Sequence, residues 1–369
     1  HNSGGLGTAC FGLTRALANE NANVVFILPR EVEIDIDFAK IIFADKALPA
    51  GGTRMLSGYI TSNEYLSLKK NFPEFYGNTL LDEVLHYASK AGAIAKAENP
   101  DVIHAHGWLS FPAGLEAKKT TGKPLVLHVH ATEFDRTGGQ GVNKAVFSIE
   151  KNALKVADKI IAVSNFTKDK IIKHYKIKSS KITVVHNGID EDGYHQLPPQ
   201  LKKLKQKGKQ KIVLFAGRIT IQKGPEYFVR AAKKVSEYYP NVLFVVSGSG
   251  DMQQQMMEEA ASLGVGDKVI FTGWLRGNDL NSLYQAADLY VMPSVSEPFG
   301  IIPLEAIING TPVIISKQSG VSEVLVHALK VDFWDVDEMA NKILGVLQNE
   351  SLQNTSKKES LKEVKRLTW

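Results

Sequence analysis

The sequence predicts an α/β protein built from two doubly wound parallel sheets in tandem. Short apolar runs alternate with stretches of helical periodicity, which is typical of parallel strands covered on both faces. The 369 residues exceed what one hydrophobic core usually holds, which is about 250 to 300 residues. The polar stretch DEDGYHQLPPQLKKLKQKGKQ separates two series of apolar runs. We therefore expect an N-terminal domain over residues 1–195, a second domain over residues 196–350 and a C-terminal helix over residues 351–369.

Ten apolar runs are the predicted strands. The first domain contributes VVFILP, VIHAH, PLVLHVH, KIIAVS and ITVVHNG, and the second contributes KIVLFAGR, NVLFVVSGSG, KVIFTGW, ADLYVMPS and PVIIS. Residues 31–75 show no clear periodicity and are predicted to form loops around the site. Because ligands of open parallel sheets bind at the carboxyl ends of the strands, we expect the chemistry in a cleft between the two sheets.

The chain opens with HNSGGLGTACFGLTRALAN, in which Gly4, Gly5 and Gly7 precede a helical pattern with Thr8 as the expected N-cap. Such a loop normally follows a buried strand that aims the helix N-terminus at an anion. No strand precedes it here, so we interpret the first strand as missing.

Composition limits the partners and the compartment. A formal charge of +5 with scattered basic residues makes nucleic acid a poor partner. The single cysteine, Cys10, excludes an internal disulfide and favours a cytoplasmic setting. No apolar run is long enough to span a membrane. The lysine-rich link could meet a membrane surface, although its composition fits a solvated connector better. The sequence leaves the oligomeric state open.

The segment VSEPFGIIPLEAIINGTPVIIS carries the strongest candidate site. We expect a short helix after Pro298, with Glu297 just before it. Free amides at a helix start stabilise an anion, so a diphosphate could dock there while Glu297 meets a sugar. The alternative, in which Glu297 only interacts with the helix dipole, leaves the tight EPFG turn unexplained. The residues predicted to line this anion and ribose site are Phe299, Gly300, Ile301 and Glu305.

Two cations follow the buried strand KIVLFAGR. Arg218 and Lys223 could together neutralise a diphosphate, because a guanidinium gives paired hydrogen bonds and an ammonium gives a point charge. Such residues are often only surface groups, but their position directly after a buried strand favours function. A glycine turn after the strand NVLFVVSG is predicted to line a nucleotide pocket, and it supplies Ser247, Gly248 and Gly250.

The E-x7-E arrangement of EPFGIIPLE, preceded by FAGRITIQKGPEYFVRAA and HNGID, resembles the retaining glycosyltransferases of the GT-B fold, especially family 4 and the related bacterial and archaeal glycogen synthases. Several motifs occur in the family's order, and the resemblance covers nearly the whole chain. It implies two Rossmann-like domains facing a cleft, with a C-terminal helix that crosses back to the first domain. It also implies that Arg218 and Lys223 hold the donor diphosphate and that the loop with Gly4, Gly5 and Gly7 closes near the donor phosphates. The loop FTGWLRG, with Gly273 and Trp274, stands where similar enzymes hold the nucleotide base, although Trp274 could instead belong to the core.

The same resemblance gives His130 a role. This histidine ends the strand PLVLHVH, and the family has a histidine here that contacts the donor sugar near the reaction centre. Without the resemblance, His130 would more simply be a capping or packing group. The segment HAHGW departs from the HAHDW that related glycogen synthases usually carry. Gly107 therefore removes an acidic group, which puts glucan-synthase identity in question.

Two H-x-H pairs raise the alternative of a zinc site. His104 and His106 share one strand face, as do His128 and His130, and four imidazoles could bind zinc if the two strands were adjacent. No cysteine or carboxylate pattern joins them, and the resemblance implies no metal. We therefore expect neither a metal nor a cofactor.

Taken together, these features predict a retaining, metal-independent hexosyltransferase. It would transfer a hexose, glucose in the first instance, from a nucleoside-diphosphate sugar to a glycan or another hydroxyl acceptor, as in an α-glucan synthase. The predicted catalytic residues are Glu297, His130, Arg218 and Lys223. One alternative is a transferase for cell-surface or lipid-linked glycans, and another is a non-catalytic protein that binds sugar nucleotides. A dinucleotide-dependent oxidoreductase is disfavoured, because GGLGTACFG lacks a G-x-G-x-x-G and no acidic residue closes the strand VVFILP.

Overall fold

The computed structural model describes residues 5–47, 80–139, 141–190 and 210–369. The chain divides into two compact units, His1–His186 and Asn187–Trp369. The predicted domain boundary at residues 195 and 196 lies outside the described residues, and so does Gly4. We describe each unit by itself.

The first unit is built from parallel strands and the helices that follow them. Its strands are β1 Val25–Leu28, β2 Lys40–Phe43, β3 Ile103–His106, β4 Leu125–Val129, β5 Lys159–Ala162 and β6 Ile182–Val184. Its helices are α1 Gly5–Asn19, α2 Ala44–Ala47, α3 Leu80–Glu98, α4 Phe111–Thr121, α5 Glu133–Arg136, α6 Lys144–Val156 and α7 Asn165–Lys170, the last continued by a π-helical turn Ile171–Tyr175.

Strands β3 to β6 form one parallel sheet in chain order, and β1 pairs in parallel with β2. The core of the four-stranded sheet is apolar, with Leu125, Leu127 and Ile160 fully buried against Leu154 and Tyr175. Leu125 and Leu127 lie on one face of β4, and the buried His128 lies on the other face. His106 ends β3 and His130 directly follows β4, so histidines lie at the carboxyl ends of both strands.

The second unit contains the larger sheet. Its strands are β7 Lys211–Ala216, β8 Val242–Ser247, β9 Val269–Gly273, β10 Leu289–Met292, β11 Val313–Ser316 and β12 Leu329–Val331. Its helices are α8 Pro225–Tyr238, α9 Gln253–Ser262, α10 Gly277–Ala286, α11 Ile302–Ile308, α12 Val336–Gln348 and α13 Glu350–Val364.

The strand order of this sheet is β12-β11-β10-β7-β8-β9, and every pair is parallel. The chain runs outward from β7 through β8 to β9 and then returns to the other side of β7 with β10. The order therefore reverses between β7 and β10, which makes this the topological switch point of a doubly wound sheet. Ligands of such sheets bind outside the carboxyl ends of the strands at this point.

All ten predicted apolar runs contain a strand, and this part of the prediction is confirmed. The prediction that residues 31–75 form only loops is wrong for Lys40–Phe43, which pairs with β1, and for Ala44–Ala47, which is helical. The sequence KIIF is too short to show periodicity by itself. The strand β12 was not predicted, because its three residues give even less signal.

Two predicted helix starts are also wrong. Helix α1 begins at Gly5, so Gly5 and Gly7 lie in its first turns and Thr8 is not the N-cap. Helix α11 begins at Ile302, so Phe299, Gly300 and Ile301 precede the first turn that they were expected to form. In both places the glycines obscured where helical geometry begins.

Helix α13 packs within the second unit. It lies against α11 and α12, and Gln353 donates a hydrogen bond to the carbonyl oxygen of Asp288 at 3.0 Å. Beyond the helix, the carbonyl oxygen of Leu367 accepts from the amide of Ile189 at 2.8 Å. The crossing of this helix back to the first unit stays a prediction. Among the described helices, none combines the length and apolar character needed to cross a bilayer.

The first testable prediction concerns Gly248, which follows β8. Its φ is +145°, and a Cβ here would come within 1.8 Å of the carbonyl oxygen of Gly217. Because the obstructing atom belongs to the backbone, Gly248→Ala should lower the free energy of unfolding by about 1 to 3 kcal/mol or more. Urea denaturation followed by circular dichroism measures this change.

The matched control is Gly345→Ala in helix α12, where a Cβ meets no atom within 4 Å. Alanine favours a helix over glycine by up to about 1 kcal/mol, so this variant should be neutral or more stable than the parent. Equal denaturation midpoints for the two variants would contradict the close approach at Gly248.

Candidate active site

The predicted charged residues of the second unit flank its switch point. Arg218 and Lys223 follow β7, while Glu297 follows the neighbouring strand β10. Both strands end at the same edge of the sheet because they are parallel. The structure therefore brings together three of the four predicted catalytic residues within this unit.

Lys223 and Glu297 form an ion pair across this point. The Lys223 ammonium contacts Oε2 of Glu297, and the two side chains are 15% and 10% exposed. The hydroxyl of Ser294 donates to the same oxygen at 3.3 Å. Among the described residues no donor reaches Oε1, so this oxygen of Glu297 is available to a ligand hydroxyl. An ammonium has three N–H donors, which leaves Lys223 able to bind an anion as well.

Gln222 holds the two loops together, and sequence reasoning missed it. Its side-chain amide donates to the carbonyl oxygen of Ser296 at 3.0 Å, and its main-chain carbonyl oxygen accepts from the amide of Val295 at 3.0 Å. Arg218 donates to Oε1 of Gln222 at 3.2 Å. Gln222 is only 3% exposed, so these bonds are shielded from water. A glutamine between Arg218 and Lys223 gives no motif, and only its burial reveals the role.

The turns after β8 and β9 lie beside the loop after β7. The carbonyl oxygen of Ser247 accepts from the amide of Gly217 at 2.9 Å, and that of Gly273 accepts from the amide of Gly248 at 2.8 Å. A Cβ at Gly250 would come within 2.2 Å of the carbonyl oxygen of Ile219. The glycines thus allow the three strand ends to pack closely, and their contact with a nucleotide stays a prediction.

The EPFG turn is fixed to the loop after β11. The amide of Glu297 donates to the main-chain carbonyl oxygen of Gln318 at 3.0 Å, and the carbonyl oxygen of Phe299 accepts from the amide of Val321 at 2.7 Å. Phe299 is buried, and among the described residues the amides of Gly300 and Ile301 donate to no protein acceptor. These two amides could bind an anion although they precede α11.

Glu305 is partly buried, whereas Trp274 is exposed. Oε2 of Glu305 accepts from the hydroxyl of Tyr284 at 2.9 Å, and burial raises the pKa of the Glu305 carboxyl. Trp274 is 41% exposed, with the Arg276 guanidinium 5.9 Å from its ring centroid. The predicted contacts of Glu305 with a ribose and of Trp274 with a base stay predictions.

In the first unit, His130 follows β4 and lines a small pocket. Leu6, Gly107, Trp108 and Arg136 also line this pocket. The segment after His130 is held by a capping box, in which the amide and hydroxyl of Thr132 both donate to Asp135 at 2.7 Å.

Arg136 is anchored in turn by two carboxylates. Its guanidinium pairs with Glu133 at 3.0 Å and with Glu150 at 2.5 Å. The hydroxyl of Tyr175 also donates a hydrogen bond to the Glu150 carboxylate. Burial raises the pKa of Glu150, although Arg136 opposes that rise. This network fixes the wall of the pocket that His130 lines.

The four histidines form one cluster, because β3 and β4 are adjacent and pair His106 with His128. Neighbouring ring centroids lie 4.2 to 5.4 Å apart, and Nδ1 of His106 lies 3.0 Å from Nε2 of His130. The condition set for a metal site, adjacent strands, is therefore met. Two groups in the described residues have ligand atoms mutually within 4.8 Å, and these are Cys10 with His106 and His130, and His104 with His106 and His128.

Burial keeps this cluster uncharged at neutral pH. It lowers the pKa of His104 to about 4. Burial first and neighbouring histidines second lower the pKa values of His106, His128 and His130 well below their usual range. His130 therefore offers a neutral imidazole, which donates and accepts hydrogen bonds but supplies no positive charge.

Gly107 ends β3 next to this cluster. Its φ is +74°, its amide donates to the carbonyl oxygen of His128 at 3.0 Å, and a Cβ would meet no atom within 4 Å. The absent side chain therefore leaves space on the pocket wall, and the backbone itself is held in place.

Comparison with known proteins gives a family match for each half of the chain. The model for Glycosyltransferase Family 4 matches residues 3–192, and the model for Glycosyl transferases group 1 matches residues 198–363. The two matches together cover nearly all of the chain.

Three curated relatives illustrate the range of similar proteins. An uncharacterized glycosyltransferase of Methanocaldococcus jannaschii is 35% identical over 62% of this chain and 60% of its own length. The glycogen synthase of Mycobacterium tuberculosis is 29% identical over 62% of this chain and 55% of its own. A D-inositol 3-phosphate glycosyltransferase of Salinispora arenicola is 30% identical over 76% of this chain and 68% of its own length. The chain thus spans less than two thirds of the length of the first two relatives.

Two solved structures share the fold. Sucrose-phosphate synthase from Thermosynechococcus elongatus has a TM-score of 0.76 at 22% identity, over 96% of this chain and 87% of that protein. Anabaena HepE in complex with UDP-glucose has a TM-score of 0.68 at 19% identity, over 98% of this chain and 92% of that protein. With the family matches, these likenesses confirm the predicted GT-B fold class. The cleft expected between its two domains stays a prediction.

The second testable prediction concerns pH and His104. The pKa of His104 falls from 6.5 to about 4 on folding, so the unfolded chain binds more protons between these values. The free energy of unfolding should therefore drop as the pH falls from 6.5 towards 4. The loss from His104 alone amounts to roughly 3 kcal/mol. Urea denaturation across this pH range, compared between the parent and His104→Gln, should give a flatter profile for the variant.

The control is the exposed His86 of helix α3. His86→Gln should keep the pH dependence of the parent protein. A His104→Gln profile as steep as the parent's would show that this imidazole does not lose its proton on folding.

Proposed function

This chain belongs to glycosyltransferase family 4 and to the group 1 glycosyl transferases, and on that premise we propose that it transfers a hexose from a nucleoside-diphosphate sugar to a hydroxyl acceptor. Glucose is the proposed sugar and a glycan is the proposed acceptor, with the α configuration retained. The observation that carries the proposal is the Arg218, Lys223 and Glu297 arrangement at the switch point of the second sheet.

The two cations are proposed to stabilise the leaving diphosphate. Negative charge grows on the diphosphate as the bond to the sugar breaks, and fixed cations in a partly dry site lower the energy of that state most. Gln222 holds the Arg218 guanidinium, and the Glu297 carboxylate holds the Lys223 ammonium. Because both are held before a ligand arrives, little reorganisation is needed.

Glu297 is proposed to orient the sugar. Lys223 and Ser294 occupy Oε2, which leaves Oε1 to accept a hydrogen bond from a sugar hydroxyl. A carboxylate already paired with an ammonium is a weakened nucleophile, so we assign Glu297 no covalent intermediate. Attack by the acceptor on the face that the diphosphate leaves retains the configuration without one.

His130 is proposed to contact the donor sugar as a neutral imidazole. The pocket that it lines and the anchored loop after it support this role. We also propose contacts of the donor with Gly5 and Gly7, with the turns at Ser247 to Gly250 and Gly273 to Trp274, with Phe299 to Ile301 and with Glu305. Transfer is proposed to need no cofactor and no metal ion, because Arg218 and Lys223 supply the positive charge. The single cysteine supports a cytoplasmic location.

A non-catalytic protein that binds sugar nucleotides is the second candidate. Gly107 supports it, because the glycine leaves open space where related glycogen synthases usually carry a carboxylate. Transfer to cell-surface or lipid-linked glycans is a variant of the first proposal. The span of relatives from a glycogen synthase to a D-inositol 3-phosphate glycosyltransferase supports keeping the acceptor open.

The third testable prediction is turnover. The purified protein should release a nucleoside diphosphate from one glucose donor among ADP-, UDP- and GDP-sugars, and a glycogen primer should accelerate the release. Proton NMR of the product should give an α linkage. Release only with another acceptor would replace the glucan by a different glycan. Tight donor binding without turnover by any donor would favour the binding protein and refute the catalytic roles.

The fourth testable prediction assigns the charges. Arg218→Ala and Lys223→Ala should each lower kcat/KM by on the order of 100-fold, because each removes one cation from the departing diphosphate. Initial rates of diphosphate release measure this effect, and thermal unfolding checks that each variant folds. Arg230→Ala is the matched control, since that arginine is half exposed and pairs with Glu259 on the neighbouring helix. Equal losses in the control would contradict the specific role.

A further inference from the structure

The histidine cluster of the first unit contains unpaired nitrogen atoms that hexosyl transfer does not use. Within the described residues, Nε2 of His104 and both ring nitrogens of His128 are buried without a hydrogen-bond partner. His128 is only 4% exposed. Each buried polar atom without a partner costs about 1 to 3 kcal/mol, so three of them in one cluster require an explanation.

The geometry of the two strands brings these atoms together. His104 and His106 lie on one face of β3, and the register places His128 of β4 beside His106 on the same face. One ligand nitrogen from each of the three histidines lies within 4.8 Å of the other two. The rings project from paired strands, so rotation about their side-chain bonds can bring these nitrogens closer to one centre.

We propose that His104, His106 and His128 bind one divalent transition metal ion, with zinc as the preferred ion. Imidazole nitrogen suits zinc, copper and nickel, whereas magnesium and calcium prefer oxygen ligands. Three histidines also form the ligand set of known zinc sites in which a fourth position stays open to water. Occupation by one metal ion would satisfy Nε2 of His104 and one of the two ring nitrogens of His128.

One further observation supports this site. His106 has a partner for its second nitrogen, because Nδ1 lies 3.0 Å from Nε2 of His130. Histidines that bind metals usually donate their other N–H to such an acceptor, which fixes the tautomer.

The group of Cys10, His106 and His130 is the competing arrangement. A cysteine binds a metal ion as its thiolate, so a metal ion would first have to displace the thiol proton of Cys10. His130 is already bonded to His106, and its nitrogens are not among the buried unpaired atoms. The three histidines without the cysteine are therefore the better ligand set.

The fifth testable prediction is zinc binding by the intact protein after treatment with a chelator. Isothermal titration with zinc chloride should give one equivalent bound, and zinc should raise the melting temperature. His104→Gln and His128→Gln should each weaken binding by more than about 100-fold, the upper range for residues that only support a ligand. The exposed His86→Gln should bind zinc as the parent does. No one-equivalent binding by the parent, or unchanged binding by both ligand variants, would overturn the proposal.

Cobalt distinguishes the two ligand sets. Cobalt bound by three histidines should give visible bands without the intense thiolate-to-metal absorption, and Cys10→Ser should leave both the spectrum and the affinity unchanged. Loss of binding in Cys10→Ser would overturn the assignment in favour of the competing group. If His128→Gln fails to fold, His104→Gln still decides, because His104 is less buried. Each of these measurements is independent of transferase activity.

Discussion

The ion pair between Lys223 and Glu297 is the constraint on which the candidate donor site depends. It joins the loops after two neighbouring strands at the point where the strand order reverses. Gln222 supports the pair with buried hydrogen bonds to the opposite loop. A lysine left without its carboxylate would carry an uncompensated charge in a largely dry place, so neither residue can change alone at low cost. The residues that hold the proposed anion site together therefore also stabilise the fold of the second unit.

The first unit differs from the second because its cluster contains only imidazoles. Crowded, buried histidines repel additional protons, and so the whole cluster remains neutral near pH 7. Neutral rings can relay hydrogen bonds or bind a metal ion, whereas they cannot compensate a diphosphate. The two units thus differ in their candidate sites: the second holds charged groups at its switch point, and the first places uncharged imidazoles beside an Arg136 guanidinium that two carboxylates already bind.

The sequence predicted the features that depend on local patterns. Ten strands followed from apolar runs, Arg218 and Lys223 followed from their positions after such a run, and Glu297 followed from its position just before a predicted short helix. Helix starts were wrong at Gly5 and Ile302, since glycine permits both helical and turn geometry. Gln222 was invisible because its role comes from burial against a loop 74 residues away. The histidine cluster needed the β3–β4 register, which periodicity within either strand does not determine.

The backbone and surroundings of Gly107 determine how readily another residue can replace it. Its backbone is in the left-handed region, which aspartate also tolerates better than most residues, and no atom occupies the space where a side chain would start. Replacing Gly107 by aspartate therefore meets no steric obstacle, and its cost in folding comes from the left-handed backbone, which aspartate adopts less readily than glycine. A carboxylate at residue 107 can thus be introduced by a single substitution, because no neighbouring side chain has to move to make room for it.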